Sequence, residues 1–142
     1  PYIILRLAFP YRAKFEPKKD FLRAIIEKMR NGAEIKGVTD QIFCPTLIDD
    51  IAYAIEALIK NDVTGIYHAV GSQALTPYEA AIKIAEEFGL DSGLVSQVTR
   101  EEFFKDRAPR PFNLHLRNAR IGKLGVKMKG FDEGLVEIKS QQ

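Results

Sequence analysis

Residues 2–9 (YIILRLAF) form an apolar run broken only by Arg6, the pattern of a β-strand covered on both faces, as in a parallel sheet flanked by helices. Such a strand rarely begins a fold unaided, so the chain is expected to be a fragment of a longer protein. From residue 17 the period turns helical. Phe21, Leu22, Ile25, Ile26 and Met29 share one stripe of a helix expected from Pro17 to about Arg30, and Asn31-Gly32 supplies its stop. A short strand is expected over 34–38. Thr46, with Asp49 three residues on, predicts a capped helix to about Lys60 with Ile48, Ile51, Ile55, Leu58 and Ile59 as its apolar face.

The second half repeats the alternation. Residues 63–70 (VTGIYHAV) read as a strand, and Thr76-Pro77-Tyr78-Glu79 is a capping box with proline at the first helical position. That helix is expected to bury Ala81, Ile84, Ala85 and Phe88 and to stop at Gly89. A strand follows over 94–98, then a short helix opened by Thr99-Arg100-Glu101-Glu102 and carrying Phe103 and Phe104. Pro109 and Pro111 forbid regular structure over 107–113. Asn118 is placed to cap a turn or two ending at Gly125, and a last helix is expected from Phe131 to about Lys139. Strands alternating with helices make the fold α/β, with few, mostly parallel strands and flanking helices, in one domain over 1–142.

Composition narrows the class. With 46% hydrophobic and 28% charged residues the chain is ordinary for a globular protein. No stretch reaches the roughly 18 apolar residues of a membrane span, no signal peptide is visible, and the single Cys44 excludes an intrachain disulfide, so a cytoplasmic location without membrane partners is expected. The net charge of +2 hides an asymmetry: between Arg100 and Lys129 nine basic side chains face three acidic ones. This stretch is a positive surface, attractive to phosphate-bearing ligands or simply solvated. It lacks the interleaved aromatics of a nucleic-acid stacking platform, so nucleic acid is not an expected partner.

Several familiar chemistries find no footing. Gly122-x-x-Gly125 follows no apolar strand and reads as a helix stop rather than a dinucleotide turn. The residues four after Tyr2, Tyr11, Tyr53, Tyr67 and Tyr78 are Arg6, Phe15, Ala57, Gly71 and Ile82, so there is no Tyr-x-x-x-Lys pair. Cys44, His68 and His115 are too few for a structural zinc site, and no nucleophile elbow surrounds Ser72. His68, on an expected buried strand, reads as a hydrogen-bonded core histidine. Asp50 reads as a solvated or first-turn acid. Arg110 stands out, because prolines on both sides stiffen its backbone and its guanidinium grips phosphate oxygens with a rigid fork; the competing reading is an arginine that packs or pairs with a carboxylate.

Four patterns in order carry a resemblance. They are Ile4-Leu5-Arg6-x-x-Phe9-x-Tyr11; Asp40-Gln41-x-x-x-Pro45-Thr46 with Asp50 in the ensuing helix; Gly65-Ile66-Tyr67-His68 leading to Tyr78-Glu79; and Arg110-Pro111-x-Asn113-x-x-Leu116. Together they resemble the C-terminal, substrate-binding half of extended short-chain dehydrogenases, most closely the dTDP-4-dehydrorhamnose reductase family, over nearly the whole chain. The resemblance implies NADP- or NAD-dependent reduction of a 4-keto nucleotide sugar in a full-length parent, with the tyrosine and lysine that handle the proton outside these residues. It implies no bound cofactor for the isolated fragment, which is expected to be inactive, and no catalytic or metal-binding residue within it. It places Phe9, Arg110 and Asn113 against the substrate and Ala8 and Pro10 against the cofactor. It also implies as partners either the missing N-terminal half or further copies of the chain. Phe9 stands where the family has a tryptophan, Leu114 where a serine is common and Arg117 where an aspartate is common. An alternative within the same fold is a non-catalytic interaction or regulatory module, as in the regulatory subunit of methionine adenosyltransferase.

Overall fold

In the computed structural model, which describes residues 1–14 and 17–141, strands and helices alternate as β1 (Ile3–Arg6), β2 (Pro10–Tyr11), α1 (Phe21–Arg30), β3 (Ile35–Val38), β4 (Thr46–Leu47), α2 (Ile48–Lys60), β5 (Gly65–His68), α3 (Pro77–Phe88), β6 (Val95–Val98), α4 (Arg100–Phe103), α5 (Ala119–Gly122) and α6 (Phe131–Ser140). The strands form parallel two-stranded ladders, β1 with β5, β2 with β4 and β3 with β6. Parallel neighbours separated by helical crossovers are what an α/β chain requires. Among the described residues no helix is long and apolar enough to cross a membrane.

The main core lies where α1, α3 and α6 meet. Leu22 and Ile26, Ala80 and Ile84, and Phe131, Leu135 and Ile138 enclose Tyr11, Phe43, Leu47 and Leu75. A second cluster sits beneath α2 and β5, where Ala54 and Leu58 meet Tyr67, Ala69, Ile121 and Met128. A third joins Met29 and Ile35 to Ala81 and Ala85, and so fastens the β3–β6 ladder to α3. Helix α3 is central because its cap is complete. The Thr76 hydroxyl accepts the Glu79 N–H at 3.1 Å and the Glu79 carboxylate accepts the Thr76 N–H at 2.7 Å, with Pro77 in the first turn and Gly89 at φ +64° closing the helix. Thr99 caps α4 by accepting the Glu102 N–H at 3.2 Å.

Elsewhere tertiary contacts override the local pattern. Strand β1 is not covered on both faces: β5 is its partner in the ladder, and Ile3 and Ile4 are 40% and 46% exposed. Helix α1 starts at Phe21, not Pro17, because Asp20 caps it by accepting the Arg23 N–H at 3.1 Å. Thr46 does not cap α2. It lies in β4, fully buried, and its hydroxyl is spent on other segments, so α2 starts at Ile48 with Asp49 and Asp50 in its first turn. That helix buries Asp50, Ile51, Ala54 and Leu58, leaving Ile55 and Ile59 exposed, because it is rotated to bring Asp50 inward. In α3 the buried positions are Ala80, Ala81, Ile84 and Ala85, and Phe88 is half-buried at the edge. Strand β5 is limited to Gly65–His68, and His68 on it is half-buried rather than enclosed. Asn118 leaves α5 uncapped; its amide donates to the Val70 carbonyl at 3.0 Å and to the Ser72 hydroxyl at 3.1 Å.

Candidate functional site

Segments from five parts of the chain, α3 at Pro77 and Ala80 among them, meet around a cleft of about 510 Å³. Its wall is largely apolar: Phe9 from the end of the β1 segment, Phe21 and Ile25 of α1, Val38 of β3, Phe43, and Phe103 and Phe104 at α4, with Gln41 among them and Lys28, Glu34 and Lys36 also on the lining. The aromatic rings brace one another edge to face, Phe9 against Phe43 at 4.9 Å and Phe21 against Phe43 at 5.7 Å between centroids. A second hollow of about 380 Å³ lies against Arg100, Glu101, Phe104, Lys105, Pro109 and Arg110. Phe104 lines both. An apolar cleft bordering three cations is suited to a ligand with a ring system at one end and phosphate at the other.

Phe9 holds an unusual backbone, with φ at +43°. A bulky residue adopts that region only when its surroundings compel it. Here Thr46 does so from both sides of the peptide chain. Its hydroxyl donates to the Ala8 carbonyl at 2.6 Å and its N–H donates to the Phe9 carbonyl at 3.2 Å. The same hydroxyl accepts the Gly71 N–H at 3.2 Å, so one side chain ties β1, β4 and the chain after β5. Ala8 is half-buried, and Pro10 is exposed and paired with Thr46 in the β2–β4 ladder.

Arg110 is exposed, its guanidinium carbon 5.7 Å from the centroid of the Phe104 ring. Among the described residues it makes no ion pair with a carboxylate, so its charge is available at the second hollow. Its carbonyl accepts from the Arg100 guanidinium, which lies 3.4 Å over the Phe112 ring. The Arg100 N–H in turn donates to Asp40 Oδ1 at 2.5 Å. Asn113 lies on the same loop but lines neither hollow; its Oδ1 accepts the His115 N–H at 2.8 Å.

Phe9 and Arg110 thus come to neighbouring hollows through Phe104, and Asn113 serves its own loop. Sequence reasoning missed Gln41 and Phe43 as cleft residues and Arg100 and Lys105 as companions of Arg110. The signal lay in the Asp40 to Asp50 pattern and in the Phe103-Phe104 pair. Asp50 is no solvated acid: it is 1% exposed, and its carboxylate accepts the backbone N–H and the ammonium of Lys129. The hydrogen bond that the Lys129 ammonium donates to Asp50, with the one it donates to Glu137, holds it above its ordinary pKa against the effect of burial. Burial, with Asp50 nearby, pushes the Tyr11 hydroxyl well above the usual tyrosine range.

Residues 1–142 match the family described as RmlD substrate binding domain. The spore coat polysaccharide biosynthesis protein SpsK of Bacillus subtilis is 31% identical over 123 residues, covering 87% of this chain and 42% of that protein. The solved structure of dTDP-4-dehydrorhamnose reductase from Bacillus anthracis, in complex with NADP, superposes with a TM-score of 0.87 at 27% identity, covering 99% of this chain and 49% of that one. Methionine adenosyltransferase 2 subunit beta of Xenopus laevis is 31% identical over 87 residues, covering 58% of this chain and 25% of that protein. The chain therefore spans less than half the length of each of these relatives.

Proposed function

The chain belongs to the RmlD substrate-binding domain family, and from that premise we propose that it forms the substrate-binding portion of an NADP-dependent reductase acting on a 4-keto nucleotide sugar. The observation that carries this reading is the pair of hollows joined at Phe104. In this reading the apolar cleft takes the flat faces of the nucleoside and sugar, with Phe9 as a platform. The guanidinium of Arg110, backed by Arg100 and Lys105, takes the diphosphate.

For the cofactor, the residues present fit an edge and no more. Ala8 and Pro10 flank the constrained Phe9 at the end of the β1 segment, a place where parallel sheets commonly meet ligands. The Ala8 carbonyl is already engaged by Thr46, and nothing among the described residues forms a glycine-rich cradle for a pyrophosphate. NADP, when bound to such a reductase, supplies the hydride. The residues of this chain bind and orient the sugar nucleotide, and by themselves they do not turn it over.

The test is calorimetric titration of the chain with dTDP-glucose, alongside a spectrophotometric assay of NADPH oxidation in the presence of a dTDP-4-keto-6-deoxy sugar as hydride acceptor. Saturable binding that Arg110→Ala weakens about tenfold, the loss of one charge-assisted contact, supports the reading. Absence of binding by the unmodified chain, or reductase turnover by it, overturns the corresponding part. The match to methionine adenosyltransferase 2 subunit beta favours a second reading, a regulatory module on the same fold. A defined complex with another protein, together with no affinity for dTDP-glucose, would select it.

A further inference from the structure

We propose that Gln41 is a positioning residue that aims Arg110 at the diphosphate, an inference that rests on the substrate reading above. Pro109 and Pro111 stiffen the Arg110 segment, but neither has an N–H. Stiffness alone does not set where the segment points, and at both prolines the backbone offers only carbonyl acceptors for a grip. The carbonyls of Arg110 itself and of Pro111 are taken by side chains from elsewhere. The Gln41 Nε2–H donates to the Pro111 carbonyl at 2.9 Å, and the Arg100 guanidinium donates to the Arg110 carbonyl.

The two grips share an anchor. Asp40, next to Gln41, accepts the Arg100 N–H at 2.5 Å. Ile42, on the other side, donates its N–H to the Phe112 carbonyl and accepts the Leu114 N–H, both at 2.8 Å. Residues 40–42 therefore hold the loop at successive points from Arg110 to Leu114. Gln41 is the member whose side chain is buried, at 7% exposure, and it also lines the apolar cleft. One carboxamide thus couples the wall of the ring-binding cleft to the orientation of the cation beside it. Preorganisation of this kind lowers the cost of ordering an exposed arginine on binding.

The experiment is a double-mutant cycle on the chain, read as dTDP-glucose affinity. Gln41→Met keeps the side chain's length and removes the donor; Arg110→Lys keeps the charge and removes the fork. Gln41→Met is expected to weaken binding about tenfold, and Arg110→Lys to cost clearly less in the Gln41→Met background than in the unmodified chain. A merely structural glutamine predicts losses that multiply independently, and that result, or unchanged affinity in Gln41→Met, overturns the inference while leaving the substrate reading intact. If Gln41→Met does not fold, Gln41→Asn, whose amide falls one methylene short of Pro111, is read by the same criteria. Failure of the unmodified chain to bind dTDP-glucose overturns the substrate reading and this inference with it.

Discussion

Asp50 and Lys129 are joined twice, the backbone N–H and the ammonium of Lys129 both donating to the Asp50 carboxylate, at 2.6 and 2.9 Å. Lys129 also pairs with Glu137 of α6 at 3.0 Å. The first turn of α2 and the start of α6 are thereby fastened through one lysine. The buried carboxylate is matched by donors on the segment leading into α6, whose Phe131 packs edge to face on Tyr11 at 5.4 Å between centroids.

Stability should therefore fall in alkali. The pKa of Lys129 is raised from its ordinary 10.5, chiefly by the hydrogen bond to Asp50, and that of Tyr11 from 10.0, chiefly by burial. Both groups hold their protons more tightly when folded, so their contribution is complete below pH 10 and is lost as pH rises through the raised values. Urea midpoints measured between pH 8 and pH 11 should decline beyond about pH 10. In Lys129→Met the midpoint at pH 8 should drop, by about 3 kcal/mol of stability, and the alkaline decline should be shallower. An equally steep decline in that variant would count against the assignment.

Gly134 is expected to tolerate no side chain. A Cβ there would lie 2.0 Å from the Tyr11 hydroxyl oxygen, and both residues are buried. In an exposed helix Gly→Ala gains about 1 kcal/mol; here overpacking should reverse the sign, with a net loss of about 2 kcal/mol. Chemical denaturation of Gly134→Ala measures it, and a stabilised variant would refute the close approach.

Thr46→Val retains the shape and removes the hydroxyl that serves Ala8 and Gly71. Leaving a buried carbonyl and N–H without their partner should cost about 2 kcal/mol. Because the same hydroxyl holds the peptide beside Phe9, dTDP-glucose affinity should fall as well. Thermal unfolding and titration of the variant separate the two effects; loss of stability with full affinity would show that Phe9 needs no such restraint.

The elements that were legible beforehand are those whose decisive contacts span three or four residues. Thr76 with Glu79, Thr99 with Glu102, and Gly89 after α3 are local arrangements, and all appear as the residue pattern predicts. The family, too, was legible in four short motifs taken in order along the chain. Thr46 and Asn118 misled for the opposite reason. Each is a good cap by type, yet each side chain is claimed by a carbonyl 38 or 48 residues away. Local preference is worth about 1 kcal/mol and yields to a buried acceptor that would otherwise go unpaired.

The site divides along the same line. Arg110 could be singled out in the sequence because the prolines beside it are covalent neighbours, and their stiffness needs no tertiary context. That Phe104 joins two hollows, that Gln41 reaches Pro111, and that Asp50 is buried under Lys129 depend on segments brought together by packing. By itself the sequence determined the alternation of strands and helices and the strong caps, since backbone periodicity and short-range hydrogen bonds decide them, and its motifs carried the resemblance to the family. Only the tertiary structure decided which polar groups face one another across the core. Those pairings are selected by the cost of leaving a buried donor or acceptor alone, and that cost exists only after the chain has folded.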